Sequence, residues 1–370
     1  MNKNIEYKKL GEICNFIAGG TPLKSKIEYW KDGSIPWIKI SDLKEKYVKF
    51  SDEKITKEGL EKSSAKILEK GTILYTIFAS VGKVAILDIE ATTNQAIVGI
   101  NLKKDIFVDK NFLYYFLCSI ENNIKNQARG VAQNNINISI LKNINIPIFP
   151  LYLQKKIIKI LNKIEIILES LKSKKILISI LNKSLFITFN KNGIEKRLDD
   201  IADISMGQSP LSQSYNIDKK GLPFYQGKTE FGDIYIKEPI IYCNSPIKIV
   251  EKNDILMSVR APVGDVNIAT QKSCIGRGLA SIRAKKVDYL YLFYLLKERK
   301  IKIEKMGVGS TFKAINKNNI SSLQIPIIEM SKQNRIKKYL LLIEKLSFEI
   351  ENSIKEAENL YNSLMNKYFE

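Results

Sequence analysis

Histidine does not occur in the 370 residues. Without an imidazole there is no histidine general base and no Ser-His-Asp triad. Cysteine is scarce: Cys14, Cys118, Cys243 and Cys274 form no C-x-x-C pair. With no histidine to complete a tetrahedral set, this argues against structural zinc. The thiols read as isolated small apolar residues in a reducing cytosol. The opening Met1-Asn2-Lys3-Asn4-Ile5-Glu6 lacks the apolar stretch of a secretory signal, and no apolar run reaches the ~18 residues a membrane helix needs. A soluble, cytoplasmic protein is expected.

Other absences narrow the chemistry. There is no Asn-Pro pair, hence no Asn-Pro-Pro-aromatic tetrad for amino-group methylation, and no glycine-rich methyl-donor loop. Gly227-Lys228-Thr229 has the ending of a phosphate-binding loop, but the first glycine of that motif would fall at Leu222, and Gly221 is one place too far. Asp288 with Glu298-Arg299-Lys300 is only superficially a nuclease carboxylate set: it falls on a predicted helix, and the first half has Ile120-Glu121-Asn122 there. No metal ligands, catalytic residues or bound cofactor are expected; a chain of this kind binds, measures or scaffolds.

What is abundant is positive charge and repetition. The formal net charge is +20, which points to a polyanionic partner, although a codon bias toward Lys, Asn and Ile alone would raise it. Leu10, Ile13, Pro22, Gly82, Tyr115, Ile146, Pro147, Gln154 and Ile157 return in order as Leu198, Ile201, Pro210, Gly264, Tyr294, Ile325, Pro326, Gln333 and Ile336. The spacing drifts from 188 residues (Pro22 to Pro210) to 182 (Gly82 to Gly264) and 179 (Pro147 to Pro326). A slow drift over many positions is a duplication with small loop deletions. Two like halves suit a partner with twofold character, such as duplex DNA.

Each half has the same order of elements. A short helical or extended opening (Tyr7 to Ala18; Glu195 to Met206) ends at Gly19-Gly20-Thr21-Pro22 or Gly207-Gln208-Ser209-Pro210. An aromatic strand follows (Ile35 to Ile40; Leu222 to Gly227), then two apolar strands around Gly82 or Gly264. A helix is predicted from about Lys110 to Lys125 and from about Tyr289 to Lys305, its stripe of Phe112, Tyr115 and Phe116, or Tyr291, Tyr294 and Leu295, facing a core. After Ile-Pro comes a long helix with alternating steps of four and three. The first carries Ile157, Leu161, Ile164, Leu168, Leu171, Ile178, Leu181 and Leu185. The second carries Ile336, Leu340, Ile343, Ser347, Ile350, Ile354, Ala357, Tyr361, Leu364 and Tyr368. Neither can bury such a seam alone, so the two are expected to pair. The fold expected is α+β: a globular domain at 1–150, a spacer helix at 151–190, a second domain at 191–328 and a second spacer helix at 329–370, the helices forming an antiparallel coiled coil.

The order of these elements resembles the specificity subunit of type I restriction-modification systems. The resemblance rests on Leu10-Gly11-Glu12-Ile13 with Gly20-Thr21-Pro22, Ile35-Pro36-Trp37-Ile38 leading to Ser41-Asp42-Leu43, Gly71-Thr72-Ile73-Leu74, Val81-Gly82-Lys83-Val84-Ala85-Ile86, Thr93-Asn94-Gln95-Ala96-Ile97, and Ile146-Pro147 with Gln154-Lys155-Lys156-Ile157. In the second half the matching residues are Leu198-Asp199-Asp200-Ile201, Ser258-Val259-Arg260-Ala261-Pro262-Val263-Gly264, Arg277-Gly278-Leu279, Leu323-Gln324-Ile325-Pro326 and Gln333-Asn334-Arg335-Ile336. The resemblance implies two target-recognition domains, each reading half of a split DNA sequence, and a helical spacer that docks two methyltransferase subunits. Those subunits would carry S-adenosylmethionine, and a motor-nuclease subunit would join them. The divergence between Ile38-Lys39-Ile40-Ser41-Asp42 and Tyr225-Gln226-Gly227-Lys228-Thr229 fits an asymmetric target.

Lys and Arg on phosphates supply affinity, while Asn, Gln, Arg, Ser and Thr on base edges read sequence. Candidates in the first domain are Thr21, Lys24, Lys26, Lys39, Ser41, Ser80, Lys83, Asn94, Gln95, Arg129, Gln133, Asn134 and Asn135. In the second they are Gln208, Ser209, Gln213, Tyr225, Gln226, Lys228, Thr229, Arg260, Arg277, Thr311 and Lys313, with Arg260 and Arg277 foremost because arginine on guanine is the commonest specific pair. Trp37 and Tyr225 offer either a stacking surface or core packing. The competing reading is a coiled-coil scaffold or inhibitor of this architecture without DNA binding.

Overall fold

The computed structural model describes residues 5–120, 136–307 and 314–369. The chain forms two compact units, Met1–Lys172 with Asn352–Glu370, and Ser173–Glu351. The helices Leu151–Asn190 and Met330–Phe369 have 40 residues each. Each unit therefore contains one globular domain, the first half of one helix and the second half of the other.

In the first unit, one sheet has the order Cys14–Ala18, Ile97–Leu102, Ile73–Thr76, Val84–Leu87, Tyr47–Val48. Its strands are antiparallel except for the last, which runs parallel to Val84–Leu87. A smaller sheet places Ile35–Ile38 between Lys54–Ile55 and Thr92–Thr93. The helix Lys110–Ser119 buries Phe112, Tyr115 and Phe116 against this framework. The predicted extension of that helix to Lys125 falls, from residue 121 on, outside the described residues. Ile157 and Leu161 of the long helix enter the same core, with Met365 and Phe369 of the other.

The second unit repeats the plan. Ala202–Met206, Leu279–Ala284, Ile255–Ser258 and Val266–Ile268 form one antiparallel sheet. Leu222–Tyr225 and Ser273–Ile275 lie parallel within another. The helix predicted from Tyr289 to Lys305 is two, Tyr289–Glu298 and Lys300–Lys305. It breaks at Arg299, where ψ is 5° and the guanidinium Nε donates to the Gln324 carbonyl at 3.3 Å. Asp288 is an ordinary helix cap, accepting from Leu290 N at 3.0 Å. It also pairs with Lys337 at 2.6 Å, so the superficial carboxylate set is structural here.

Two buried glutamines tie the domains to their helices. Gln154 Oε1 accepts from Asp109 N at 2.8 Å while Nε2 donates to the carbonyls of Phe149 and Phe107 at 2.7 and 3.0 Å. Gln333 repeats the arrangement, accepting from Asp288 N at 3.0 Å and donating to Ile328 O at 2.8 Å. These are the Gln-led helices of the repeat. Their function is to satisfy backbone groups that burial strips of water.

The pairing of the long helices is antiparallel within each unit. Glu165 meets Tyr361 and Lys172 meets Glu358 in the first; Lys175 meets Glu351 and Phe189 meets Tyr339 in the second. The seam predicted for the second helix is buried or half-buried at every position. In the first helix one position differs. Leu181 is 51% exposed and the neighbouring Asn182 turns inward instead. Apolarity favoured Leu181, but the alternation of four and three that starts at Ile157 and runs through Leu171 to Ile178 makes the next step four, to position 182. Among the described residues no helix is long and apolar enough to cross a membrane.

Candidate nucleic-acid interface

Each domain gathers its loops at the end of a pair of parallel strands. In the first, Trp37 lies opposite Thr92 and Ile38 opposite Thr93. Parallel neighbours emerge on the same side, so Lys39–Ser41 and Asn94–Gln95 come together, and Asn94 N donates to Ile38 O at 3.0 Å. The glycine turn closes on the same end: Gly19 N donates to Ile97 O at 3.1 Å and Gly20 N to Thr93 O at 2.9 Å. A Cβ at Gly19 would lie 2.0 Å from the Asn94 carbonyl oxygen, so only glycine allows this approach. The hairpin tip after Ile73–Thr76 joins through Ile77 N to Ala96 O at 2.8 Å. Thr76 shapes that tip, its hydroxyl donating to Ser80 O and accepting from Lys83 N at 2.9 Å.

The second domain repeats these bonds. Gly207 N donates to Leu279 O at 2.9 Å, Gln208 N to Ile275 O at 3.1 Å, Gly276 N to Tyr225 O at 2.9 Å and Val259 N to Gly278 O at 3.0 Å. Ser258 replaces Thr76, donating to Pro262 O at 2.9 Å and accepting from Asp265 N at 3.0 Å. The backbone frame is thus the same while its open end carries different side chains. Position for position, Lys39 answers to Gln226, Ser41 to Lys228, Lys83 to Asp265, Gln95 to Arg277 and Thr21 to Ser209.

Contacts at each tip follow that substitution. Thr21 Oγ1 donates to Gln95 Oε1, while the equivalent Ser209 Oγ accepts from Arg277 N at 3.2 Å. In the first domain Glu53 is shared by Lys39 at 2.5 Å and Lys24 at 2.9 Å. The hydrogen bonds from Lys39 and Lys24 hold its carboxyl below the usual range. Lys24 Nζ also lies 3.9 Å from the Trp30 ring centroid. In the second domain Asp265 is shared by Lys300 at 2.5 Å and Lys228 at 2.6 Å. Burial raises its pKa, but the bonds from Lys228 and Lys300 outweigh burial and leave it lowered. Each tip therefore carries two lysines around one carboxylate. Neither acid stood out in the sequence, because the acid and its lysines are far apart along the chain.

Thr21, Lys24, Lys39, Ser41, Ser80, Lys83, Asn94 and Gln95 are brought to one end of the first domain, and Gln208, Ser209, Gln226, Lys228, Thr229, Arg260 and Arg277 to the like end of the second. Arg260 and Arg277 are exposed; the arginines with carboxylate partners among the described residues are Arg197, Arg283 and Arg299. Lys26 pairs with Glu28 at 3.5 Å and Gln213 sits on the turn Ser212–Ser214, and no bond joins either to its cluster. Tyr225 is corrected: it is fully buried, its hydroxyl donating to Lys237 O at 3.1 Å, so the ring is core and cannot stack on a base. Trp37 is likewise core, its indole N–H donating to Gly20 O at 2.9 Å. Arg129, Gln133, Asn134, Asn135, Thr311 and Lys313 lie outside the described residues.

Comparison with known proteins adds a family. The sequence pattern described as "Type I restriction modification DNA specificity domain" matches residues 2–180 and again 191–358. A type I restriction enzyme specificity subunit, MjaX of Methanocaldococcus jannaschii, is 37% identical, the alignment covering 98% of this chain and 92% of that one. A chain solved in work on complex assembly and conformational transition of the type I R-M system matches with a TM-score of 0.66 and 25% identity, covering 100% of this chain and 99% of that one. The type I restriction-modification S subunit of M. genitalium matches with a TM-score of 0.60 at 19% identity, over 100% of this chain and 98% of that one, a likeness of fold.

Proposed function

We infer a DNA-reading role from the family to which this chain belongs, that of type I restriction-modification DNA specificity proteins. The chain is a specificity subunit, the non-catalytic member that selects a DNA sequence for methyltransferase and restriction partners. The alternative of a scaffold without DNA binding is not favoured.

Beyond the family, each domain reads one half of a split target with the loops at the end of its parallel strand pair. The observation that carries this is the doubled backbone frame with unlike side chains at its open end. A shared frame serves two equivalent dockings on a duplex, and the exchange of Gln95 for Arg277 and Lys39 for Gln226 makes the two half-sites different. Gln suits adenine and Arg suits guanine in the major groove. The other lysines at the tips, Lys24, Lys228 and Lys300, serve phosphates. Two methyltransferase subunits dock on the helical spacer and supply S-adenosylmethionine. Exposed apolar residues on its first helix offer the surface for this: Ile166 and Ile167 in the first unit, and Ile176, Leu177 and Ile180 in the second.

Salt titration on duplexes carrying the methylated site is the test. Affinity should fall by about a thousandfold between 50 and 200 mM salt, and methylation should require a methyltransferase partner and occur at a two-part site. Salt-independent binding, or a host genome without such a site, would overturn the reading. Removing one heptad from each helix, within Lys155 to Leu185 and at the matching positions of the second, shortens the spacer by about 10 Å. The expected result is a half-site gap about three base pairs shorter, each half keeping its base preference, read by sequencing methylated sites. A changed base preference at unchanged gap would contradict the ruler role.

A further inference from the structure

Equivalent positions in the two units also differ away from the loop tips. In the first unit Lys46 reaches from the sheet edge to the long helix. Its Nζ donates to Tyr115 Oη at 2.8 Å, Asn162 Oδ1 at 2.9 Å and Glu165 Oε2 at 3.2 Å. Tyr361 from the antiparallel helix donates to the other oxygen of Glu165 at 3.3 Å. The ammonium lies 4.3 Å from the Tyr115 ring centroid. It is held by a carboxylate, two neutral acceptors and an aromatic ring.

The repeat identifies the same positions in the second unit. Ile86 N donates to Lys46 O at 2.7 Å, and Ile268 N to Ile234 O at 2.8 Å, so Ile234 stands where Lys46 does. On the 179-residue spacing set by Gln154 and Gln333, Tyr115 becomes Tyr294, Asn162 becomes Leu341, Glu165 becomes Glu344 and Tyr361 answers to Asn182. The tyrosine and the glutamate persist; the lysine does not. In its place is a cavity of about 750 Å³, open to solvent on one side, lined by Ile234, Tyr294, Leu341, Glu344 and Asn182, with Tyr235 and the exposed Phe348 adding aromatic wall. That volume lies within the range of small-ligand sites.

The polar groups left in this cavity ask for a donor. Asn182 Oδ1 is buried and accepts no hydrogen bond. Burial pushes the Glu344 carboxyl up, with no cation set against it. The lysines on the wall have partners, and the Asp233 side chain is exposed at its edge. Lys175 pairs with Glu351 at 2.6 Å, Lys297 donates to the Asp233 carbonyl at 2.9 Å, and Lys345 pairs with Glu349 at 4.0 Å.

We propose that this cavity binds a small primary aliphatic amine, whose ammonium takes the place between Tyr294 and Glu344 that Lys46 Nζ takes between Tyr115 and Glu165. The apolar wall of Ile234, Leu341 and Phe348 accepts the aliphatic stem. Asn182 Oδ1 gains the donor it lacks, and the Tyr294 ring faces the cation as Tyr115 faces Lys46.

Isothermal titration of the full chain with n-pentylammonium tests this, with 1-pentanol as the neutral counterpart. The expected result is saturable one-to-one binding of the amine and at least tenfold weaker binding of the alcohol. Glu344→Gln should weaken the amine at least tenfold. Ile234→Lys, which plants the ammonium seen in the first unit, should abolish binding while circular dichroism and the melting temperature stay those of a folded chain. The two variants change the site in opposite ways, one removing the acceptor and one supplying the donor, so a folding defect in either leaves the other informative. No saturable binding by the unaltered chain, equal affinity for the alcohol, or binding indifferent to both substitutions would overturn the proposal.

Discussion

Replacing Arg277 with alanine is expected to weaken binding of a two-part target by about 1–3 kcal/mol, the worth of a bidentate arginine on guanine. Base preference should relax at one position of one half-site only. Arg277 is exposed at the end of the strand Ser273–Ile275, with its backbone N–H fixed to Ser209 Oγ at 3.2 Å. The backbone is anchored and the guanidinium is left to reach outward. Gln95→Ala should relax the other half-site in the same manner. The measurement is selection from duplex libraries randomised in one half-site at a time, at fixed salt. Uniform weakening across all sequences, with a salt slope reduced by about one, would reassign Arg277 to a phosphate. Relaxation in both half-sites at once would refute the assignment of one domain to each.

Gln154→Leu should cost several kcal/mol of stability with little change in shape. The side chain is fully buried and serves three backbone groups: the N–H of Asp109 and the carbonyls of Phe107 and Phe149. Leucine fills similar space but leaves all three unpaired, at about 1–3 kcal/mol each, a large share of the 5–15 kcal/mol margin of a typical domain. Gln333→Leu orphans Asp288 N and Ile328 O and should cost less. Both tryptophans, Trp30 and Trp37, lie in the first unit. Tryptophan fluorescence in urea therefore follows that unit, and its midpoint should fall sharply for Gln154→Leu and much less for Gln333→Leu. An unchanged midpoint for Gln154→Leu would mean that water or relaxation satisfies those groups.

Much of this molecule was legible as pattern. Local rules sufficed for the paired strands around Gly82 and Gly264, the Ile-Pro strands before each long helix, and the four-three seam, because each depends on residues near one another in the chain. The pattern failed where a neighbour from far along the chain decides. The sequence leaves Tyr225 open to a base or to the core, and only the closed sheet decides for the core. Leu181 looked the better seam residue, yet the register fixed by Gln154 and Ile157 turns Asn182 inward. Glu53 and Asp265 became visible only when their lysines arrived from distant positions.

Pattern along the chain is enough to establish the duplication, the lack of histidine chemistry, and that the two long helices must find each other, since an apolar seam repeating every three or four residues cannot remain in water. The tertiary structure decided which loops share an end. Only parallel pairing of Ile35–Ile38 with Thr92–Thr93, and of Leu222–Tyr225 with Ser273–Ile275, brings Lys39 beside Gln95 and Gln226 beside Arg277. It also decided that one unit fills with Lys46 a place that the other leaves open beneath Ile234. These are facts of contact between residues tens to hundreds of positions apart, and periodicity along a chain carries no record of them.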